Sequence, residues 1–302
     1  MTLLRHTLSL ILAAGVIGPA TAAEPKDLQR ELPKAPEQGP RFSPPDPATI
    51  PDNKMGEMIR RGRDIFVNTQ AHAKDYVGNG LNCVNCHVND GRQAGSAPLW
   101  GAMGMYPAYR GKNDMVNTIQ HRIQGCFKYS MDGTPPPANG EVLTALVAYG
   151  HWMAKGAPQG EALPGRGYPD VDKPAKQPDF DRGRQVFADN CALCHGADGH
   201  GTRVDGEYVF PPLWGPDSFN WGAGMHRINT AAEFIQANMP YGKGGSLSTQ
   251  QAWDVALFIN SHERPRDPRY SGDFQELVQT YHQHQCQYGK TVDGKHLTGI
   301  VE

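Results

Sequence analysis

Two stretches of the chain, residues 141–153 and 248–262, carry apolar side chains every three or four positions, which predicts an amphipathic helix in each. The predicted buried stripes are Val142, Leu143, Leu146 and Val147 in the first helix and Ala252, Trp253, Ala256 and Ile259 in the second. A third apolar run, from Leu8 to Gly18, follows Arg5 and His6 and precedes the small residues of "ATAAEP". That run is short for a membrane span and is typical of a secretory signal peptide, which we assign to residues 1–23.

Helix starts are marked by two capping patterns. Ser248 with Gln251 predicts a capping box for the second amphipathic helix, and Thr230 with Glu233 predicts one for a shorter helix upstream. The chain also holds 35 Gly and 25 Pro, so long loops are expected between helices. The Pro-rich residues 24–53 are expected to run over the surface as an extended arm.

The charge balance limits the partners. Lys and Arg number 29 and Asp and Glu 31, so the chain lacks the basic surplus that nucleic-acid binding needs. No other segment approaches the length of a membrane-spanning helix, so the chain is expected to have no membrane span once the signal peptide is removed.

Two pentapeptides indicate the cofactors. Of the six cysteines, four occur in "CVNCH" and "CALCH", which contain Cys83, Cys86 and His87 and then Cys191, Cys194 and His195. A bare Cys-x-x-Cys pair could be a disulfide or a redox centre, but a histidine directly after the second cysteine is the attachment signature of c-type haem. The sequence therefore predicts two covalently bound haem c groups, each with a histidine ligand to iron.

The surroundings of the two motifs repeat. "RRGRDIFVN" (60–68) matches "DRGRQVFADN" (181–190), and "APLWG" (97–101) matches "PPLWG" (211–215). The predicted fold class is mainly α: two cytochrome c-like helical domains in tandem, joined by a Gly/Pro-rich linker. The predicted boundaries are 54–155 for the first domain, 156–178 for the linker, 179–265 for the second domain and 266–302 for a tail whose shape stays open.

Each haem iron with one histidine has room for a second axial ligand. In the second domain we predict Met239, which precedes a proline at the end of a short helical pattern, over Met225 in a Gly-rich stretch. In the first domain Cys126 and Met131 are equally placed by spacing.

Local charge favours Cys126. The charged residues from 92 to 128 are Arg92, Arg110, Lys112, Arg122 and Lys128, against the single acid Asp114. Cations lower the pKa of a thiol, and Arg122 lies one turn before Cys126 if residues 113–126 form a helix, which Gly125 could end early. A haem, a thiolate and several arginines suit a small anion oxidised at sulfur.

The segments "CVNCH…NDGR", "PLWGAMGMYPAYRGKN", "VNTIQHRIQGCFKYSM", "CALCH" and "ANMP" resemble the dihaem c-type thiosulfate dehydrogenases, periplasmic enzymes that interconvert thiosulfate and tetrathionate. The resemblance implies His87 and Cys126 as ligands of an active-site haem, and His195 and Met239 as ligands of an electron-transfer haem. It also implies a basic substrate pocket formed by Arg110, Arg122 and Ser130, with Arg92 and Gln93 as weaker matches. A periplasmic c-type cytochrome or similar protein is the implied electron acceptor. Asn238 stands where some members carry an alternative lysine ligand.

Other interpretations stay open. The chain could be a non-catalytic dihaem electron carrier that uses Met131, a cysteine-ligated cytochrome of a multi-protein sulfur-oxidising system, or a dihaem peroxidase. Cys286, close to His282 and His284, could bind a metal, although closely spaced histidines in a polar tail are more often solvated. Cys286 could also form a disulfide with Cys126, but we expect the two to lie far apart.

Overall fold

The computed structural model describes residues 39, 41–111 and 113–299. The predicted signal peptide, most of the Pro-rich arm and Lys112 lie outside these residues. Within the described ranges no helix is both long enough and apolar enough to cross a bilayer.

Helices dominate the described part of the chain, which confirms the mainly α prediction. The helices are Lys54–Val67 (α1), Thr69–His72 (α2), Val88–Gly91 (α3), Leu99–Met103 (α4), Ile119–Gly125 (α5), Glu141–Met153 (α6), Phe180–Asn190 (α7), Ala192–His195 (α8), Ile228–Asn238 (α9), Thr249–Ile259 (α10) and Phe274–Tyr281 (α11). The described ranges also contain three antiparallel strand pairs, which join Ala108–Arg110 (β1) to Met115–Asn117 (β2), Thr202–Val204 (β3) to Glu207–Phe210 (β4), and Thr291–Val292 (β5) to Lys295–His296 (β6).

The repeated sequence segments form the same helix pair in each half. Helix α1 packs against α6, and α7 packs against α10. At the crossing points a Cβ on Gly62 would lie 2.0 Å from the Ala145 carbonyl oxygen, and one on Gly183 would lie 2.1 Å from that of Asp254. The glycine of each "RGR" repeat therefore allows two helix backbones to touch.

The buried apolar residues form two main cores, one in each half. The first contains Ile65, Trp100, Leu143 and Met153, and the second contains Val186, Trp214, Trp253 and Ile259, among others. Met225 packs against both cores. The two halves thus have separate interiors that meet.

The predicted helix stripes agree with burial. In α10 all four stripe residues are buried, and Ser248 and Gln251 form the capping box. In α6, which matches the predicted 141–153, Leu143 and Leu146 are buried whereas Val142 and Val147 are half-buried.

The capping box predicted from Thr230 and Glu233 is wrong. Helix α9 begins earlier, at Ile228, with Arg227 as its N-cap. The backbone N–H of Ile228 donates to the carbonyl oxygen of Gln285 at 2.9 Å. A carbonyl of the tail therefore accepts from one of the four N–H groups that have no partner within the helix.

Residues 266–299 of the tail pack around a small core of their own. Besides α11 and the β5–β6 hairpin, a third buried cluster contains Trp221, Leu277, Cys286, Tyr288 and Leu297. Trp221 stacks on Tyr288 with ring centroids 4.8 Å apart. The sequence lacks a strong periodic pattern here because few side chains build this core.

Candidate active site

A largely apolar cavity of about 210 Å³ lies in the first helical half. Cys83, Cys86 and His87 of the first pentapeptide line it together with Cys126. Its apolar wall includes Phe66, Leu81, Leu99, Met103, Ile119, Ile123, Phe127, Met131 and Leu146. Arg110, Arg122, Arg166, Tyr106 and Ser130 supply its polar lining. The cavity therefore joins an apolar interior to a group of cations.

Both haem-motif histidines are oriented in the same way. Nδ1 of His87 lies 2.7 Å from the carbonyl oxygen of Ala97, and Nδ1 of His195 lies 2.8 Å from that of Pro211. A carbonyl can only accept, so Nδ1 carries the proton and Nε2 has the lone pair that binds a metal. Ala97 and Pro211 are the first residues of the repeated "APLWG" and "PPLWG" segments, which explains why the two segments match.

The residues of the cavity fit a covalently attached haem. Its wall is apolar, as a porphyrin requires, and two thiols and a histidine with an oriented Nε2 line it. Burial raises the pKa of the Cys83 and Cys86 thiols to about 12, so neither is a reactive thiolate. In the second half burial likewise raises the pKa of Cys191 to about 12 and lowers that of His195, which favours its neutral form.

Cys126 lies where helix α5 passes into a single π-helical turn, Cys126–Ser130. Its carbonyl accepts a 2.9 Å hydrogen bond from the N–H of Met131, five residues on. Such π turns recur at functional sites because they re-aim side chains. Nη1 of Arg122 lies 2.9 Å from Sγ of Cys126, so the expected one-turn contact is present.

The Cys126 thiol has an unusual pKa. Burial raises it, but the hydrogen bonds and positive charge around the sulfur, those of Arg122 above all, outweigh burial and bring the pKa to about 6, against an ordinary value of 9.0. The same pairing raises the pKa of Arg122 further above its ordinary range. Cys126 is therefore a thiolate near neutral pH.

The helix predicted for residues 113–126 is wrong in its first half. Met115–Asn117 forms strand β2, which pairs with β1 in the register Tyr109 to Val116. Thr118 then caps α5 by accepting a hydrogen bond from the N–H of His121. Strand pairing across a tight turn overrides the helical pattern here, and Gly125 ends α5 while the chain continues into the π turn.

Arg110 and Ser130, which the resemblance implied for a substrate pocket, line the cavity. Nη1 of Arg110 donates to the hydroxyl of Tyr106 at 2.8 Å. Arg166, which also lines the cavity, was missed because it lies in the segment that the sequence marks as a linker. Burial lowers the pKa of Arg166, and the like charge of Arg110 lowers it further. The signal that could have found it is an isolated arginine between two glycines, "GRG".

Arg92 and Gln93 are not among the residues that line the cavity, and their side chains form hydrogen bonds elsewhere. Nη2 of Arg92 donates to the carbonyl oxygens of Pro44 and Pro45 at 3.1 and 2.7 Å, which holds the N-terminal arm. Nε2 of Gln93 donates to Oδ1 of Asn238 at 2.7 Å. These contacts give both side chains structural roles.

The methionines occupy different environments. Met131 is 3% exposed and lines the cavity beside Cys126. Met239 is half-buried at the end of α9 and packs against the second core, as does Cys191 of the second pentapeptide. Met239 thus lies in the half in which the sequence predicts it as a ligand, and Met131 lies in the half in which spacing made it the alternative to Cys126.

Cys126 and Cys286 are both free thiols, so no disulfide joins them. Cys126 contacts Arg122, whereas Cys286 belongs to the buried cluster of the tail. The expectation that they lie apart is consistent with these separate environments.

Comparison with known proteins identifies both halves. Residues 69–158 match the family model described as SoxA/TsdA, cytochrome c domain, and residues 178–259 match that of cytochrome c oxidase, cbb3-type, subunit III. A thiosulfate dehydrogenase of Stutzerimonas stutzeri strain A1501 is 54% identical over 94% of this chain and 95% of its own length. One of Thiomonas intermedia strain K12 is 50% identical over 99% of this chain and 96% of its own.

A solved structure of a thiosulfate dehydrogenase has the same fold as this chain. The thiosulfate dehydrogenase TsdBA of Marichromatium purpuratum superposes with a TM-score of 0.83 at 49% identity, over 86% of this chain. The superposition covers 58% of the length of that chain, so the present chain spans less than two thirds of it.

The fold and its two pentapeptides define a dihaem c-type cytochrome: two cytochrome c domains in tandem, with two covalently bound haem c groups. Its relatives share both halves and nearly the whole length. The chain belongs to the thiosulfate dehydrogenase family, and it is an oxidoreductase. The predicted fold class and cofactors are confirmed.

Proposed function

We propose that this protein is a periplasmic enzyme that oxidises thiosulfate and couples two molecules of it to tetrathionate. The observation that carries the proposal is the 2.9 Å contact between Nη1 of Arg122 and Sγ of Cys126, in a cavity that Cys83, Cys86 and His87 also line. Relatives named thiosulfate dehydrogenase, identical to this chain at half of their positions or more, support it. The signal peptide predicted from residues 1–23 supports the location.

Four side chains hold the two irons in this proposal. His87 and Cys126 are the pair in the first domain, since His87 carries its proton on Nδ1 and both residues line the same cavity. His195 and Met239 are the pair in the second domain. When bound, the haem groups supply two one-electron acceptors.

The cavity cations offset the charge of the substrate. Two thiosulfate dianions repel each other, and Arg110, Arg122 and Arg166 all line the space in which they would meet. A guanidinium binds an oxyanion through two parallel donors, so the group suits sulfonate oxygens. The hydroxyl of Ser130 is a further donor in the same wall.

Cys126 supplies the reacting sulfur. Its thiolate forms an S–S bond with the outer sulfur of one thiosulfate, which gives a cysteine S-thiosulfonate and releases two electrons. The outer sulfur of the second thiosulfate attacks the middle sulfur of this adduct, the one bonded both to Sγ of Cys126 and to the sulfonate sulfur, and the bond to Sγ breaks. Tetrathionate leaves, and the Cys126 thiolate is restored, so the cycle converts two thiosulfates to one tetrathionate and two electrons. The reverse sequence reduces tetrathionate.

The electrons pass through the second domain to an external acceptor. A periplasmic c-type cytochrome or a similar protein is the partner proposed. Gln93 and Asn238 support this route, because their hydrogen bond joins the first domain to the residue before Met239.

The test compares the haem-loaded wild type with Cys126→Gly, using an artificial electron acceptor and assaying tetrathionate. Activity in the wild type that is lost in the variant, with both haems still attached, is the expected result. Equal activity in both proteins would contradict a reacting Cys126. Lys128→Gly is the matched control, because it places a glycine in the same π turn without removing the thiol.

A second candidate function is electron transfer without catalysis. Met131, buried at 3% exposure in the wall of the same cavity, is the observation that favours it. In that case the wild type would not oxidise thiosulfate, and Met131→Ala rather than Cys126→Gly would change the visible spectrum of the first haem.

A further inference from the structure

Three potential metal ligands meet in the core of the tail. His226, His282 and Cys286 are all buried, and each offers one ligand atom that lies within 4.8 Å of the other two. His284 lies beside them, with its Nε2 2.9 Å from Nε2 of His226. The sequence favoured solvated histidines here; the structure buries His282 and Cys286, because α11 and Tyr288 cover them.

The orientation of His282 suits a metal ligand. Its Nε2 lies 3.0 Å from Oδ2 of Asp267, whose side chain is inaccessible to solvent. The other ring nitrogen, Nδ1, lies 3.6 Å from Sγ of Cys286. A carboxylate behind a histidine is the arrangement that orients metal-binding imidazoles, and the sulfur and nitrogen ligands of a tetrahedral zinc ion lie about 3.5 Å apart.

We propose that His226, His282 and Cys286 bind a structural zinc ion that fastens the tail to the second domain. Two imidazoles and a thiolate form a donor set that zinc prefers over magnesium or calcium. The Cys286 thiolate offsets one charge of the ion, and the Asp267 carboxylate behind His282 is shared with Arg269, whose Nε donates to it at 2.9 Å. A tetrahedral site needs a fourth ligand, and His284, which lies beside His226 but outside the three-residue group, would have to move toward the ion to supply it.

The position of the cluster explains what the ion does. His226 precedes α9, whereas His282 and Cys286 follow α11, so one ion links chain segments that are far apart in sequence. The core of the tail has five buried apolar members, which is a small interior for a segment of this length. Small cores of this kind commonly depend on a metal or a disulfide.

The first measurement is the metal content of the haem-loaded protein, purified without chelators and analysed for zinc and iron by mass spectrometry. We expect one zinc for every two iron atoms. The zinc K-edge absorption spectrum is expected to show one sulfur at about 2.3 Å and nitrogens at about 2.0–2.1 Å. This readout is independent of thiosulfate oxidation, so its failure would leave the proposed enzyme unaffected.

Variants locate the ion. Cys286→Ser and His282→Ala are expected to lose the zinc and keep both irons, whereas His151→Ala, at an exposed position of α6, keeps all three metals. If a variant fails to fold, removal of zinc from the wild type with a chelator and its return on adding zinc give the same information. A wild type with two irons but no zinc above background, even after zinc is added and excess removed, would overturn the proposal. A zinc spectrum without a sulfur ligand would overturn it as well.

Discussion

The side-chain amide of Gln93 donates a 2.7 Å hydrogen bond to Asn238, the residue directly before Met239. Asn238 is 3% exposed, and its own amide donates to the carbonyl oxygens of Gly95 and Phe234 at 3.1 and 3.0 Å. The first domain therefore holds the end of α9 from which the proposed ligand of the second haem emerges. The interface between the domains and the ligand loop are stabilised by the same side chain.

Replacing Asn238 by alanine is expected to lower the free energy of unfolding by about 1–3 kcal/mol, because it leaves buried polar partners without a hydrogen bond. Denaturant unfolding of the haem-loaded protein measures the change. Gln275→Ala, at an exposed position of α11, is the control and should stay within about 0.5 kcal/mol of the wild type. If Asn238→Ala also stayed within about 0.5 kcal/mol of the wild type, the stability of the interface would not depend on this residue.

Arg122→Met is expected to lower kcat/KM for thiosulfate by roughly 10²–10³-fold, since it removes a charged donor aimed at the reacting sulfur. Arg122→Lys keeps the charge without the forked donors, so an intermediate loss is expected. Lys128→Met is the control: its Nζ lies 5.6 Å from the centroid of the Tyr129 ring, and it does not line the cavity. Steady-state kinetics that show equal losses at positions 122 and 128 would contradict the assignment.

A substitution of Arg166 tests whether this cavity residue, which the sequence did not indicate, belongs to the substrate site. Arg166→Gln is expected to raise KM for thiosulfate by roughly tenfold or more while kcat falls less, because the side chain lines the cavity, where its positive charge would hold the dianion. Arg184→Gln, an exposed cation on α7, serves as the control. An unchanged KM in Arg166→Gln would remove this residue from the substrate site.

Gly62→Ala and Gly183→Ala are each expected to destabilise the protein by roughly 3 kcal/mol or more. Their Cβ atoms would lie 2.0 and 2.1 Å from carbonyl oxygens of the partner helices, so the helix pairs must separate. Gly111→Ala, where an added Cβ meets nothing within 4 Å, is expected to be near neutral. Thermal unfolding of the three variants measures the difference, and equal stabilities would mean that the helices adjust without cost.

His262 predicts a pH dependence of stability. Burial, as the largest effect, lowers the pKa of His262 to about 4 from an ordinary 6.5, while it stacks on Trp214 with ring centroids 4.0 Å apart. The unfolded chain therefore binds the proton more readily than the folded one. The free energy of unfolding is therefore expected to decrease as the pH falls from 6.5 to about 4. The decrease due to His262 is at most on the order of 3 kcal/mol.

His262→Phe keeps the stacked ring but cannot titrate, so its stability is expected to fall less steeply than that of the wild type between these pH values. His151→Ala, which changes an exposed histidine, should retain the wild-type slope. Denaturant unfolding at several pH values compares the three proteins. Parallel curves for the wild type and His262→Phe would exclude His262 as the source of the slope.

Much of the fold and part of the site follow from the amino-acid sequence alone. The two pentapeptides predicted both haem groups, and apolar periodicity predicted α6 and α10 with their buried faces. The helix expected over residues 113–126 was wrong in its first half because a hairpin forms there, and the cap at Thr230 was wrong because α9 begins at Ile228, whose N–H donates to a carbonyl of the tail. Sequence patterns predict secondary structure well where hydrogen bonds and packing between neighbouring residues determine it. They fail where a segment distant in sequence supplies the hydrogen-bond partner.

The sequence by itself determined the covalent chemistry and the helix faces, since both depend on residues a few positions apart. Only the tertiary structure brought Arg166 from the linker into the first cavity and placed His226 against His282 and Cys286. Close helix crossings, such as the one at Gly62, decide which distant side chains meet. Sequence spacing does not predict those contacts, because they depend on how whole helices and hairpins pack against one another.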